Sequence, residues 1–138
     1  MDIPIWVNDY VGIEFVEHGR TMLGLDCWGL VCKVYSDQFG IELPSYRSDY
    51  ETTKAGKTIQ SIMDIESEMW TAVSGDEIQL GDVAVFAICG FNSHVGIIVS
   101  EDSMLHIEKN IDSVVERFKT PKWGRRLRAF YRHDGMMK

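Results

Sequence analysis

The feature that most limits what this chain can fold into is a change of pattern near Gly75. Ahead of it, apolar residues recur at helical spacing; behind it, short apolar runs are separated by turns of a few residues. Asp82–Ile88 reads Asp-Val-Ala-Val-Phe-Ala-Ile, a nearly continuous apolar strand of the kind buried on both faces. Cys89–Ser93 is a turn, His94–Ser100 a second strand, and Glu101–Ser103 a further turn into a third strand, Met104–Glu108. Val114–Phe118 is a weaker fourth. Arg126–Arg132 is a fifth, with Leu127, Ala129 and Tyr131 on one face and Arg126, Arg128, Phe130 and Arg132 on the other. Helices first, then strands joined by short turns, predict an α+β fold with N-terminal helices packed on a five-stranded antiparallel sheet, not alternating βαβ units.

The front of the chain supplies the helices. Residues 1–25 look irregular, anchored by Trp6, Tyr10, Ile13 and Phe15 and broken by Gly12, Gly19 and Gly24. Asp26 is a good N-cap for a helix carrying Leu30, Val31, Val34 and Tyr35, which Gly40 and Pro44 terminate. Residues 45–57 are a polar loop, and Ile59, Ile62, Met63, Met69 and Trp70 predict a second helix over 57–71. With 138 residues, the whole of 1–138 reads as a single domain.

Charge and cysteine content exclude several functions. The net charge of −7 argues against nucleic-acid binding, which needs a basic surface. No apolar run approaches the roughly 18 residues of a membrane span, and Met1-Asp2-Ile3-Pro4 lacks the basic start and apolar stretch of a signal peptide. Neither membrane association nor export is therefore expected, and synthesis is placed in the cytoplasm. Three cysteines do not make a disulfide framework. Cys27 and Cys32 on one helix lie roughly 7.5 Å apart along its axis, beyond disulfide reach. Cys27, Cys89, His94 and His106 lack ligand spacing, so neither a metal nor another cofactor is expected. Residues 117–138 hold eight basic side chains against Asp134 alone, a +7 segment on a −14 remainder. That segment is either a solvated strand and tail or a docking edge for an acidic partner.

Cys27 carries the chemistry. It directly follows the cap of the predicted helix, where unpaired N–H groups and the positive helix end favour a thiolate, so it is expected to react ahead of Cys32 and Cys89. A thiolate nucleophile needs a base and a group to orient that base, and His94 and His106 are the candidates. If their strands pair about the Glu101–Ser103 turn, opposed residue numbers sum to about 204. His94 then faces residue 110 and His106 faces residue 98, so a bulge or skewed register is needed to bring the two together. His18 and His133 read as surface residues, and Asp26 as a cap rather than a catalytic acid.

Gly24-Leu25-Asp26-Cys27-Trp28-Gly29-Leu30-Val31 resembles the nucleophile motif of the NlpC-type cell-wall peptidases, which are papain-like cysteine hydrolases. Leu80-Gly81-Asp82-Val83-Ala84-Val85-Phe86 is similar to their Gly-Asp strand, Ser93-His94-Val95-Gly96-Ile97 to their His-Val-Gly motif, and Met104-Leu105-His106 to the segment bearing the third polar residue. The Asp-Cys-Trp-Gly-Leu form resembles phage tail relatives. So do Tyr10-Val11-Gly12-Ile13, Gly40-Ile41-Glu42-Leu43-Pro44-Ser45-Tyr46 and Phe130-Tyr131-Arg132-His133.

The resemblance implies Cys27 as nucleophile, His94 as general base and His106 as the orienting residue. It implies Tyr10 and Trp28 as possible substrate or oxyanion support, though both read equally well as packing aromatics. It further implies cleavage of peptidoglycan stem peptides at a γ-D-glutamyl–diamino acid bond. The implied setting is a virion, at a phage tail tip with tail-tip or tail hub proteins as partners. The alternative from another class is a structural tail-tip assembly protein with a silent or vestigial site.

Overall fold

The structure is a computed structural model that describes residues 2–44, 69–88 and 91–136, with 91–93 by backbone alone. A 3-10 helix, Ile5–Tyr10, opens the chain. Two short strands, β1 (Arg20–Thr21) and β2 (Gly24–Leu25), then pair antiparallel and lead into helix α1 (Cys27–Val34). A π-helical turn, Tyr35–Phe39, continues α1 to Gly40, whose φ of 66° is the left-handed stop that glycine tolerates. Residues 1–25 thus hold more regular structure than their pattern suggests, because β1 and β2 are too short to register as a period. The expected loop over 45–57, residues 57–68 of the expected second helix, and Cys89 lie outside the described residues.

All five expected strands form, but the sheet has six among the described residues, in the order β3-β8-β4-β5-β6-β7, antiparallel throughout. These are β3 (Trp70–Val73), β4 (Val83–Ile88), β5 (Phe91–Ile98), β6 (Ser103–Glu108), β7 (Ile111–Arg117) and β8 (Leu127–His133). The extra strand, β3, falls where a helix was expected to end. Trp70 and Val73 turn inward at its two ends, and its backbone pairs along β8 from Trp70↔His133 to Val73↔Phe130. Pairing with an otherwise open sheet edge overrides helical spacing here.

Both faces of the sheet centre are covered, which is why β4 is apolar at nearly every position. Val83, Val85, Val95 and Ile97 pack against Leu30, Val31 and Val34 of α1. On the reverse face Ala84, Phe86, Ile98 and Met104 lie with Phe118, Phe130 and Trp123. Trp123 belongs to a short helix, α2 (Pro121–Arg126), that strand patterning misses. Thr120-Pro121 is its sequence signal: the threonine side chain caps Trp123 N–H and the proline sits in the first turn. A register shift between Val85 and Phe86 breaks the strict alternation expected of β8, so Leu127 joins Phe130 on the α2 side.

The basic strand face also differs from expectation. Arg126 ends α2 and stacks on Trp123, while Arg128 donates to the carbonyls of Arg125 and Leu127. Arg132 is committed to Asp82, donating from Nε at 2.9 Å and Nη2 at 2.8 Å. Asp82 is buried and also accepts from the Gln79 N–H, so this two-pronged pair locks the start of β4 to β8. The three arginines are therefore not one free face. Asp82→Ala is expected to leave a part-buried guanidinium with the Glu77 carbonyl as its remaining partner and to cost about 1–3 kcal/mol in urea unfolding. A loss below about 1 kcal/mol would show that the pair does not hold the sheet.

Candidate active site

The start of α1 is built around one carboxylate. Asp26 Oδ1 accepts from Gly29 N–H at 2.7 Å and from Arg20 Nη1 at 2.8 Å, and Oδ2 accepts from His18 N–H at 2.9 Å. Asp26 is thus the N-cap, and it ties the helix to the segment before β1. Gly29 is required for close approach: a Cβ there would lie 2.2 Å from the Gly19 carbonyl oxygen. Cap and glycine together seat α1 with Cys27 at its first position.

The Cys27 sulfur meets the backbone N–H of Val95, the residue after His94, and that of Trp28. These N–H groups and Arg20 favour the thiolate. Burial, the largest influence, and the Asp26 charge oppose them and push the thiol up to about 12. A helix N-terminus contributes about 0.3–2 kcal/mol, whereas burial can shift a group by about 3–5 units, equivalent to roughly 4–7 kcal/mol. Desolvation wins, and the resting Cys27 is a neutral thiol rather than the expected thiolate. Cys32 is likewise pushed to about 12 by burial, and its sulfur lies 3.8 Å from the Pro44 carbonyl oxygen. Low pKa therefore does not separate the two thiols; position does.

His94 and His106 do meet. His94 Nε2 and His106 Nδ1 are 2.9 Å apart. The register explains this, because Ile97↔Leu105 and Ile98↔Met104 sum to 202 rather than 204. Val99 and Ser100 N–H both reach the Ser103 carbonyl, which tightens the turn by one position per strand. Carried on, that register sets His106 beside Gly96, with His94 on the adjacent diagonal. Gly96 supplies the room, since a Cβ there would lie 2.7 Å from Met104 Sδ and 3.4 Å from His106 Cβ. A register shift in β5 between His94 and Asn92 re-aims the strand next to His94.

The imidazoles continue into an acid that sequence reasoning did not identify. His106 Nε2 is 2.8 Å from Glu116 Oε1, where Glu116 stands opposite Met104 on β7. Its signal was a single carboxylate at an alternate position of the weak fourth strand. Trp123 covers the pair, stacked on His94 at 5.3 Å and edge-on to His106 at 5.0 Å. Burial holds His94 well below its ordinary pKa, reinforced by His106, Arg126 and Lys122. Burial also lowers His106, against the opposing pull of Glu116. Both rings are neutral at pH 7. With His94 Nε2 engaged by His106, Nδ1 is its remaining ring nitrogen.

Comparison with known proteins shows which family has this fold. The chain is 29% identical over 118 residues to the murein DD-endopeptidase MepS/murein LD-carboxypeptidase of Escherichia coli K12, covering 86% of this chain and 54% of that protein. It is 31% identical over 120 residues to a probable endopeptidase of Haemophilus influenzae, covering 86% and 65%. The NlpC/p60 domain of the peptidoglycan hydrolase SagA superposes with a TM-score of 0.63 at 20% identity, over 91% of this chain and 92% of that one. A family protein from Staphylococcus aureus, described as similar to a lipoprotein, gives 0.66 at 22% identity, over 92% and 38%. These structural likenesses show the fold. The model of the NlpC/P60 family matches residues 12–132. The chain belongs to the NlpC/P60 family.

Not every residue expected at an NlpC/P60 site lies there. Tyr10 donates its hydroxyl to Asp37 Oδ2 at 2.9 Å and accepts from Gln38 Nε2 at 3.0 Å. Those partners follow α1, about ten residues and roughly 15 Å of helical rise from Cys27. Tyr10 therefore anchors the far end of the helix. The Trp28 indole is fully buried and donates to the Pro44 carbonyl at 3.0 Å, so only its backbone N–H faces the sulfur. His133 is buried beside Trp70 and Tyr35 rather than on the surface, and His18 is half-buried.

Among the described residues, one group brings possible metal-ligating atoms within 4.8 Å of one another: His106, Glu108 and Glu116. Its His106–Glu116 edge is already a hydrogen bond, so the hydrogen-bonded chain accounts for it.

The histidines set a pH dependence. Both have folded-state pKa values below the unfolded value of about 6.5, so the unfolded chain binds more protons on acidification. Stability is expected to be full above pH 7 and to fall below about 6.5, by up to about 1.4 kcal/mol per pH unit for each histidine. Urea midpoints at pH 7.5 and 5.5 test this, and His94→Gln should flatten the slope. Equal midpoints would contradict neutral burial.

Proposed function

We propose that this chain is a cysteine endopeptidase acting on the stem peptides of peptidoglycan. The observation that carries the reading is the meeting of the Cys27 sulfur with the backbone of β5 beside His94, whose ring is held by His106. The chain spans 54% and 65% of the length of the two curated relatives described above, so their activities enter only as support.

The neutral starting state defines the chemistry. As Cys27 Sγ attacks the peptide carbonyl carbon, its proton passes to His94 Nδ1, and the carbonyl electron pair becomes an oxyanion. The N–H groups at the start of α1 and at Val95 supply a positive environment for the charge that develops beside them. Collapse breaks the C–N bond, and the amine leaves with the proton from His94. The remaining thioester is then opened by water, which gives one proton to His94 as it attacks. That proton returns to the Cys27 sulfur, leaving a carboxylic acid and the free thiol. Trp123 excludes water from the imidazole pair, so the hydrogen bond orienting His94 is not competed away.

The bond we assign is γ-D-glutamyl–diamino acid, on the resemblance of the motif around Cys27. The related murein enzyme named above is called a DD-endopeptidase and LD-carboxypeptidase, so the other peptide bonds of the stem are the competing outcomes. Resemblance of the Asp26-Cys27-Trp28-Gly29-Leu30 form also supports a phage tail tip as the setting, with tail-tip or hub proteins as partners. The high pKa of Cys27 favours one second reading: a tail-tip component whose site is silent until assembly or substrate shifts the thiol.

Purified peptidoglycan digested with this chain should release fragments whose masses place the cut between D-glutamate and the diamino acid. Cys27→Ala should lose at least about 100-fold in rate with its unfolding midpoint little changed. Retained activity in that variant would overturn the nucleophile. An inert wild-type protein that incorporates into phage tails would favour the silent reading.

A further inference from the structure

We propose that Glu116 is a positioning residue that sets the tautomers of both histidines, and through them leaves His94 Nδ1 unprotonated towards the nucleophile. The proposal rests on reading the site as a cysteine hydrolase and extends it to a residue on a third strand.

The argument is one of donors and acceptors along a chain of two hydrogen bonds. An ionised carboxylate only accepts. Glu116 is held in that form: burial pulls it upward, but Trp123, His106 and Lys122 outweigh burial and keep it below the ordinary carboxylate range. The Trp123 indole N–H is buried beside it without closing a hydrogen bond of regular geometry, adding a positive dipole. In the 2.8 Å contact with Glu116, His106 Nε2 must therefore carry the hydrogen. A neutral imidazole has one N–H, so His106 Nδ1 is left as a lone pair. In the 2.9 Å contact between the rings, His94 Nε2 must then be the donor. His94, also neutral, has its lone pair on Nδ1.

The reverse polarity would disable the base. If His106 carried its hydrogen on Nδ1, it would donate to His94 Nε2, and His94 Nδ1 would be an N–H unable to take the thiol proton. Both orders satisfy the inter-ring hydrogen bond equally, so the geometry of the two histidines alone does not choose between them. The acceptor at the end of the chain does. Glu116 is the only carboxylate hydrogen-bonded to either ring among the described residues. Its strand is fixed to β6 by the pairs Met104↔Glu116 and His106↔Val114, which put Glu116 diagonal to His106. When the proton arrives on His94, the same carboxylate faces the positive charge through His106 and stabilises it.

Ring tautomers can be read directly in protein labelled with 15N-histidine, from long-range proton–nitrogen correlations at pH 7.5. Wild-type protein should show both His94 and His106 with hydrogen on Nε2 and a lone pair on Nδ1. Glu116→Ala should give a mixed or reversed pattern at both rings, and kcat should fall at least about 10-fold while KM stays within about 2-fold. Glu116→Gln keeps an acceptor oxygen and should recover most of the wild-type tautomer and part of kcat, whereas Asp112→Asn on the exposed end of the same strand should change neither.

Hydrogen on Nδ1 of either ring in the wild-type protein would overturn the proposal even if no variant folds. Wild-type ring shifts and wild-type kcat in Glu116→Ala would overturn it too, and would leave the hydrolase reading intact. Shifted tautomers in Glu116→Ala alongside a wild-type protein that cleaves no peptidoglycan would instead support the role of Glu116 and count against the hydrolase.

Discussion

The Asp26 carboxylate is the interaction on which the rest of the site depends. By accepting from Gly29, Arg20 and His18 it fixes where α1 begins and how its first turn meets the chain ahead of it. A capping side chain is typically worth about 1 kcal/mol. This one also holds a partly buried guanidinium, so it joins helix, hairpin and loop at one point. Cys27 follows it directly, and Gly29 lets the backbone of Gly19 pass close by. A thiol one residue from such a junction is placed by the fold and not by its own contacts.

The same burial that makes the site stiff makes it neutral. The sheet is covered by α1 on one face and by Trp123 with its neighbours on the other, so the imidazoles are removed from water and the thiol is partly so. Desolvation raises the thiol and lowers the two rings, disfavouring charge on each. In the proposed reaction, activation of the sulfur is therefore a matter of proton transfer during attack, helped by groups aimed at the charge as it appears. In such a surrounding the direction of each hydrogen bond matters as much as its length, and a carboxylate at the end of a chain of imidazoles governs that direction. The rings stay fixed because Trp123 packs on both and because Gly96, beside His106 in the register of β5 and β6, leaves room for them to meet.

Much of this was legible one element at a time. Five strands, the α1 start at Asp26, its stop at Gly40 and the candidate trio Cys27, His94 and His106 follow from local spacing and local chemistry. What escaped was decided by neighbours. β3 is a strand because β8 offers it an edge; Tyr10 and Trp28 are anchors because the surfaces they meet are interior. The arginines of β8 lose their common face to a bulge, the end of α2 and the buried Asp82. Thr120-Pro121 shows that some misses had a readable signal, since a cap followed by proline marks a helix start even when the helix is six residues long.

By itself the sequence determined which residues could do chemistry, where α1 starts and stops, and five of the strands, because caps, glycines and apolar periodicity act within a few residues. Tertiary structure alone decided that His94 and His106 touch, that Glu116 completes their chain and that Cys27 rests as a thiol. A shift of register moves every side chain on a strand, and nothing local to β5 or β6 specifies it beyond how tightly one turn closes. Desolvation likewise depends on what packs over a group from distant parts of the chain. Trp123, nearly one hundred residues from Cys27, helps to close the interior in which this site works.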